Sequence, residues 1–191
     1  MKVLVFAIAT VILSNTGLSA QEVKDFNLIN VVDNQSVSLS AYPSCEGIVL
    51  IFTSNTCPYD EHYRGRISAL ANAYAGRVPV VLINAHTDAG ETPEKMAAKA
   101  RALGLTIPYL ADKDQTASSQ LGVRKSPEVF LLRNDNGKFR VVYRGAIDDN
   151  AQVEADVRHH YLRDAIDIML ARQSIETPEV RPVGCNLKRK L

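Results

Sequence analysis

Residues 48–60, which read Ile48-Val49-Leu50-Ile51-Phe52-Thr53-Ser54-Asn55-Thr56-Cys57-Pro58-Tyr59-Asp60, decide the fold. The first five are apolar and rich in β-branched side chains, which predicts a short strand buried on both faces. Four polar residues end that strand before Cys57. Pro58 is tolerated in the first turn of a helix because its missing N–H has no partner there. The stretch therefore predicts a strand, a turn and a helix, with the Cys57 thiol at the helix N-terminus.

The predicted position of Cys57 favours reactive chemistry. Free N–H groups and the dipole at a helix N-terminus stabilise a thiolate, and such sites lower a thiol pKa to about 3.5–7.5. The structural alternative is a buried, inert cysteine that packs as a small apolar side chain. The polar residues 54–56 and the following proline argue against burial, so the sequence favours a reactive, accessible thiol.

Elements on both sides of this stretch complete an α/β domain. Alternation of apolar and polar residues over 26–39 predicts an N-terminal β-hairpin. Further periodic segments predict a strand at 78–83, a helix from Thr92, a short strand at 107–110, a short helix at 116–121, strands at 129–132 and 139–143, and a helix at 157–171. Strands that alternate with helices form a parallel sheet, and the late hairpin adds an antiparallel strand. We predict a central mixed sheet flanked by helices.

The first twenty residues have the pattern of a secretory signal peptide. Lys2 is followed by an apolar run to Leu13, and small residues precede a cut near Ala20-Gln21. The alternative is an uncleaved anchor. The sequence thus predicts a signal peptide at 1–20, one domain at 21–191, a periplasmic or secreted location, and no stable membrane span after processing.

Charge excludes a general attraction to nucleic acid. The full chain has 22 basic and 21 acidic residues, and removal of Lys2 with the signal peptide leaves 21 of each. A nearly neutral domain has no global field that attracts nucleic acid or an anionic membrane. The single basic run, residues 188–190, is interpreted as a solvated tail.

The cysteines Cys45, Cys57 and Cys185 permit one disulfide and leave one thiol over. An exported protein meets an oxidising compartment, where thiols tend to pair. Two pairings stay open from the residues alone. One is a redox pair of Cys57 and Cys185, and the other is a structural bridge between Cys45 and Cys185.

Five segments in order resemble one known family. They are FTSNTCPY at 52–59, PYLAD at 108–112, SPE at 126–128, YRGAIDD at 143–149 and GCNLK at 184–188. Together they resemble the redoxin (AhpC/TSA-related) superfamily, specifically the peroxiredoxin-like branch with a thioredoxin-like fold. The resemblance implies that Cys57 is the catalytic nucleophile and Cys185 the resolving thiol. It also implies that Pro127 is a cis-proline beside Cys57 and that Ser126, Pro127 and Pro58 line the substrate groove.

The chain departs from the family pattern at three places. Asp60 stands where thioredoxins carry the second cysteine of Cys-X-X-Cys, so a disulfide within that turn cannot form. Ser54 replaces the threonine of typical peroxiredoxins. The activating arginine of peroxiredoxins is missing at its usual place, and Arg124 or Arg144 are the candidate replacements. Efficient peroxide reduction depends on these residues, so the resemblance favours disulfide exchange.

The sequence therefore predicts an exported thiol–disulfide oxidoreductase with Cys57 as nucleophile and Cys185 as resolving thiol, no cofactor and no metal. Its expected substrate is a protein disulfide or a peroxide, with an external thiol reductant. The alternatives are a peroxiredoxin-like thiol peroxidase and a non-catalytic module that binds a partner, or copper through Cys57 and His86. Asp60 is interpreted as a helix-start residue.

Overall fold

Strand β4 (Gly47–Phe52) lies at the centre of the sheet, and all six of its residues are buried. It runs parallel to β5 (Val80–Asn84) and antiparallel to β8 (Glu128–Asp135). Strand β6 (Tyr109–Ala111) extends the parallel part beyond β5. The computed structural model describes residues 21–190, so the predicted signal peptide at 1–20 lies outside the described residues. The predicted strand buried on both faces is confirmed.

The remaining strands lie toward the two edges of the sheet. They are β1 (Glu22–Val23), β2 (Asn27–Asn30), β3 (Ser36–Ser38), β9 (Lys138–Gly145) and β10 (Glu179–Val180). The order is β1-β9-β8-β4-β5-β6-β2-β3, and β10 also pairs with β9. The predicted N-terminal hairpin is formed by β2 and β3 and joins the sheet through β6. Two-residue strands such as β1 and β10 are too short to leave a period in the sequence, and the sequence did not predict them.

Helices flank the sheet as predicted. They are α1 (Pro58–Ala73), α2 (Pro93–Ala102), α3 (Thr116–Leu121) and α4 (Tyr161–Leu170). The Thr92 side chain accepts a hydrogen bond from the N–H of Lys95, which confirms it as the N-cap of α2. Helix α4 begins later than the predicted residue 157, because Val157 is extended and the N-cap is His160. No helix within residues 21–190 is long and apolar enough to cross a membrane.

Two apolar clusters hold the layers together. Val49 and Ile51 of β4 point to one face, where they share a cluster with Tyr63 of α1 and Ile166 of α4. Leu50 and its alternate neighbours point to the other face, which α3 covers. Each fully buried large apolar side chain contributes roughly 1.5–3 kcal/mol. Helix α1 is therefore fixed against the sheet, with its first residue at the carboxyl end of β4.

Candidate active site

Cys57 is the N-cap residue of α1, with φ −77° and ψ 123°, and Pro58 is the first helical residue. The predicted placement of the thiol at a helix N-terminus is confirmed. The expectation that polar neighbours keep Cys57 accessible is wrong, because the residue is only 4% exposed. Its sulfur is bonded to Cys185, whose strand β11 (Cys185–Asn186) pairs with β7 (Lys125–Ser126) and covers the site.

The cysteine pairing is Cys57 with Cys185, across 128 residues of sequence. This is the pairing that the resemblance implied. The alternative bridge between Cys45 and Cys185 is not formed, because Cys45 carries a free thiol that is partly buried. The Sγ of Cys45 donates to the carbonyl of Tyr42 at 3.2 Å, and burial raises the pKa of the Cys45 thiol.

The segment before β8 contacts both cysteines of the disulfide. The peptide bond from Ser126 to Pro127 is cis, as the resemblance implied. The Ser126 carbonyl oxygen is 3.3 Å from Cys57 Sγ, and Ser126 is directly opposite Cys185 in the β7–β11 pair. A Cβ at position 184 would stand 2.2 Å from the same carbonyl oxygen, so the close approach of the chain requires Gly184.

The buried carboxylate of Glu128 orients this loop from its other end. Glu128 Oε2 accepts hydrogen bonds from the backbone N–H groups of Arg124 at 2.7 Å and Lys125 at 3.0 Å. Both donors belong to the segment that carries Ser126. The Ser-Pro-Glu motif therefore supplies the cis-proline and the side chain that fixes the backbone leading to it.

A second buried carboxylate, that of Glu91, organises the turn before Cys57. Glu91 Oε1 accepts from the hydroxyls of Ser54 at 2.6 Å and Thr56 at 2.7 Å, and from the backbone N–H of Thr56. Glu91 Oε2 accepts from the backbone N–H of Asn55 at 2.8 Å and the side chain of Asn84 at 2.7 Å. Ser54 Oγ in turn accepts from the Cys57 N–H at 3.1 Å. The backbone of Cys57 is thus tied to Glu91 through one hydroxyl.

Hydrogen bonding keeps Glu91 ionised. Burial alone raises the pKa of this carboxyl, but the bonds donated by Ser54, Asn84, Thr56 and Asn55 outweigh it and lower the pKa to about 2. The charge is fully enclosed, since Glu91 is 1% exposed. A permanent negative charge therefore lies under the turn that precedes Cys57.

A buried histidine contacts Ser126, and a lysine contacts the backbone of that histidine. His86 Nε2 is 2.9 Å from Ser126 Oγ, and burial lowers the pKa of His86. Lys113 Nζ donates to the carbonyl oxygens of Asn84 and His86 at 3.2 and 2.9 Å, and burial lowers its pKa to about 8. Burial disfavours the charged form of each group, so both lose a proton more readily than usual.

Asp60 is buried three residues after Cys57. Its Oδ1 accepts from the hydroxyl of Thr53 at 2.6 Å, while its Oδ2 has no partner among the described residues. Burial raises the pKa of Asp60 to about 7, although the bond from Thr53 acts in the opposite direction. The helix-start interpretation covers its position but did not anticipate a buried carboxyl that is largely protonated below pH 7.

The peroxiredoxin-type activating residues are only partly replaced. Ser54 contacts the Cys57 backbone, so a hydroxyl is present at the position of the expected threonine. Arg124 and Arg144 both pair with Glu179, at 3.0 and 2.7 Å. Neither guanidinium is a partner of Cys57 in the described part of the chain, so the candidate replacements do not serve that role here.

Sequence reasoning placed His86 near Cys57 but missed Glu91. It also missed Gln115, a buried side chain that donates to the Lys188 carbonyl of the C-terminal segment. Glu91 lies in a loop whose local pattern is that of any polar connection, and only the register of β4 against β5 brings it under residues 54–56. The described residues contain no group of three or more His, Cys, Asp or Glu side chains arranged to hold a metal ion.

Comparison with known proteins agrees with this geometry. The chain belongs to the AhpC/TSA family, whose family model matches residues 20–153. No curated protein matches the chain in sequence. The predicted superfamily is therefore confirmed, and the paired cysteines in this fold define a thiol-dependent oxidoreductase of the thioredoxin-like class.

Three solved structures illustrate the likeness. A hypothetical protein, SMc02350, from Sinorhizobium meliloti 1021 is 30% identical with a TM-score of 0.80, covering 90% of this chain and 94% of that one. An uncharacterized conserved protein from Geobacillus kaustophilus is 28% identical with a TM-score of 0.79, covering 90% and 92%. The exposed lipoprotein thioredoxin Etrx1 from Streptococcus pneumoniae strain TIGR4 is 20% identical with a TM-score of 0.58, covering 75% and 99%. The thioredoxin-like fold is confirmed.

Proposed function

We propose that this protein is an exported thiol–disulfide oxidoreductase in which Cys57 is the nucleophile and Cys185 the resolving thiol. The observation that carries the proposal is the Cys57–Cys185 disulfide beside the Ser126 carbonyl. Pro58, Ser126 and Pro127 line the groove that receives the partner. Export rests on the signal-like residues 1–20.

The reaction begins with the reduced protein. The Cys57 thiolate attacks one sulfur of a partner disulfide, forms a mixed disulfide and releases the other partner sulfur as a thiolate, which takes up a proton. The Cys185 thiolate then attacks Cys57 Sγ and displaces the remaining partner sulfur. Two electrons have passed to the partner, and an external thiol reductant returns the Cys57–Cys185 disulfide to two thiols.

Disulfide exchange fits the site better than peroxide reduction. A peroxidatic thiolate needs positive groups that stabilise it and polarise the peroxide, whereas both candidate arginines are paired with Glu179. The buried charge that contacts residues 54–56 is the negative Glu91, which accepts hydrogen bonds from this turn and cannot stabilise a second anion. Exchange requires only the helix N-terminus, a groove and a second thiol within reach.

The test compares three single substitutions in a protein-disulfide reduction assay with a dithiol reductant. We expect Cys57→Ser to abolish turnover. Cys185→Ser, mixed with the substrate before the dithiol is added, should accumulate a mixed disulfide with it. Cys45→Ser, the matched control, should retain the wild-type rate. Hydrogen peroxide consumption is measured on the same samples. Turnover that survives Cys57→Ser, or peroxide consumption that greatly exceeds disulfide reduction, contradicts the proposal.

A further inference from the structure

The C-terminal tail, residues 184–190, lies in the site as an extended chain. Cys185 and Asn186 pair with the β7 strand, and the Leu187 N–H donates to the Arg124 carbonyl at 2.9 Å. Lys125 Nζ donates to the Gly184 carbonyl at 3.1 Å. The tail is therefore held as an added strand against the loop that carries the cis-proline.

Gln115 adds hydrogen bonds to the tail backbone beyond the β7–β11 strand pair. Its amide donates to the Lys188 carbonyl at 2.8 Å, and its carbonyl oxygen accepts from the Lys190 N–H at 2.8 Å. The Gln115 side chain is itself buried, at 3% exposure, and also donates to the Ala85 carbonyl. One side-chain amide thus hydrogen-bonds two backbone groups of the tail. These bonds require an extended peptide but no particular side chain.

Side chains of the tail meet complementary groups. Leu187 packs on the apolar cluster that includes Leu121 and Val123. Lys188 Nζ is 2.8 Å from Asp88, and Lys190 Nζ is 3.2 Å from Asp114. The surface under the tail therefore has an apolar contact two residues after the cysteine and acidic contacts three and five residues after it.

We propose that this surface is the docking site for the partner, and that the tail imitates the partner segment. The segment is an extended peptide with a cysteine, an apolar residue two positions later, and basic residues three and five positions later. This inference rests on the proposed function. Resolution is then a strand exchange: the tail displaces the partner strand from β7 while Cys185 attacks Cys57 Sγ and the partner thiolate leaves and is protonated.

The test uses the full mature chain with Cys45→Ser and Cys185→Ser, in which Cys57 is the one remaining thiol and the tail competes equally with every peptide. Two heptapeptides are compared, each with its cysteine linked to 2-thiopyridine. One has the sequence of residues 184–190, and the other carries glutamate in place of Lys188 and Lys190. Attack by Cys57 forms the protein–peptide disulfide and releases the chromophore thiopyridone. Rates with N-acetylcysteine correct for the intrinsic reactivity of each peptide.

We expect the basic peptide to react on the order of fivefold faster than the acidic one, since each exposed ion pair contributes little on its own. High salt should reduce this preference by screening. Adding Asp88→Lys and Asp114→Lys should abolish or reverse it. The control pair Glu154→Lys and Glu176→Lys makes the same change of net charge at exposed positions away from the tail and should leave the preference intact.

Equal corrected rates for both peptides would overturn the docking inference while leaving the proposed function in place, provided that Cys57 reacts with both. A preference that the control pair removes as completely as the Asp88 and Asp114 pair would also overturn it, since net charge would then explain the effect. A Cys57 thiol that reacts with neither peptide nor with 2,2′-dithiodipyridine contradicts the proposed function itself.

Discussion

Replacement of Glu91 by glutamine should destabilise the protein and make its free energy of unfolding less sensitive to acidic pH. In the native protein both carboxylate oxygens accept hydrogen bonds, including two from backbone N–H groups. An amide has only one acceptor oxygen, so its NH₂ group faces donors that have no other partner. Loss of bonds to a charged acceptor costs about 1.5–3 kcal/mol each, and a buried donor without a partner adds to this.

The pKa of Glu91 sets the magnitude. The pKa of this carboxyl falls from its usual 4.5 to about 2 on folding. One pKa unit corresponds to about 1.4 kcal/mol, so the ionised form contributes about 3 kcal/mol to stability. Because the folded pKa is depressed, this contribution is present in full above pH 4.5. It is lost as the pH falls from 4.5 through about 2.

Urea unfolding of the oxidised protein between pH 7 and pH 2.5 measures the effect. We expect Glu91→Gln to lower the free energy of unfolding by about 3 kcal/mol at pH 7, and the gap from wild type to narrow below pH 4.5. Glu154→Gln, at an exposed position, should match wild type throughout. A gap that stays constant from pH 7 to pH 2.5, or one below about 1 kcal/mol, would refute the reasoning.

Three further perturbations have defined outcomes. Reduction of the disulfide should lower the free energy of unfolding by about 5 kcal/mol, since the bond closes a long loop of 128 residues; a change below 1 kcal/mol in a urea titration with and without dithiol would contradict this. Arg66→Leu should lower the free energy of unfolding by about 3–5 kcal/mol. The buried carboxylate of Asp148, which lies 2.6 Å from Arg66 in the native protein, would lose its charge partner. An unchanged free energy of unfolding in a urea titration would contradict this. Asp60→Asn should stabilise the protein by about 4 kcal/mol at pH 8 and leave its stability unchanged at pH 3. The pKa of Asp60 rises from 3.8 in the unfolded chain to about 7 in the folded protein, so the wild type loses stability as the pH rises from 3.8 through about 7, whereas the amide does not titrate. Equal unfolding midpoints of the variant and the wild type at pH 8 would exclude this.

The strand, turn and helix around Cys57 could be predicted because they are local. An apolar run, a polar break and a proline act within a few residues, and the structure places β4 and α1 accordingly. The start of α4 was less accurate, because residues 157–160 fit the helical pattern but precede the helix, with Val157 extended and His160 as the N-cap. Strand β11 has only two residues, and its pairing with β7 depends on the disulfide and on distant contacts rather than on its own sequence.

The site could be predicted in its cysteines and its proline but not in its supporting residues. Cys185 follows from the resemblance, whereas the burial of Cys57 follows from the tail that covers it and has no local signal. Glu91 and Gln115 act through hydrogen bonds to segments more than thirty residues away in sequence. Such contacts depend on the three-dimensional arrangement of the sheet, so the periodicity of the sequence does not predict them.

The central claim is that Cys57 and Cys185 form one reversible redox pair. Peptide mass spectrometry under non-reducing conditions, before and after one equivalent of a dithiol, tests it most directly. The account predicts a peptide that links Cys57 to Cys185 before reduction, both thiols free afterwards, and Cys45 free in both samples. A linkage between Cys45 and Cys185, or a Cys57–Cys185 bond that the dithiol leaves intact in the folded protein, would contradict it.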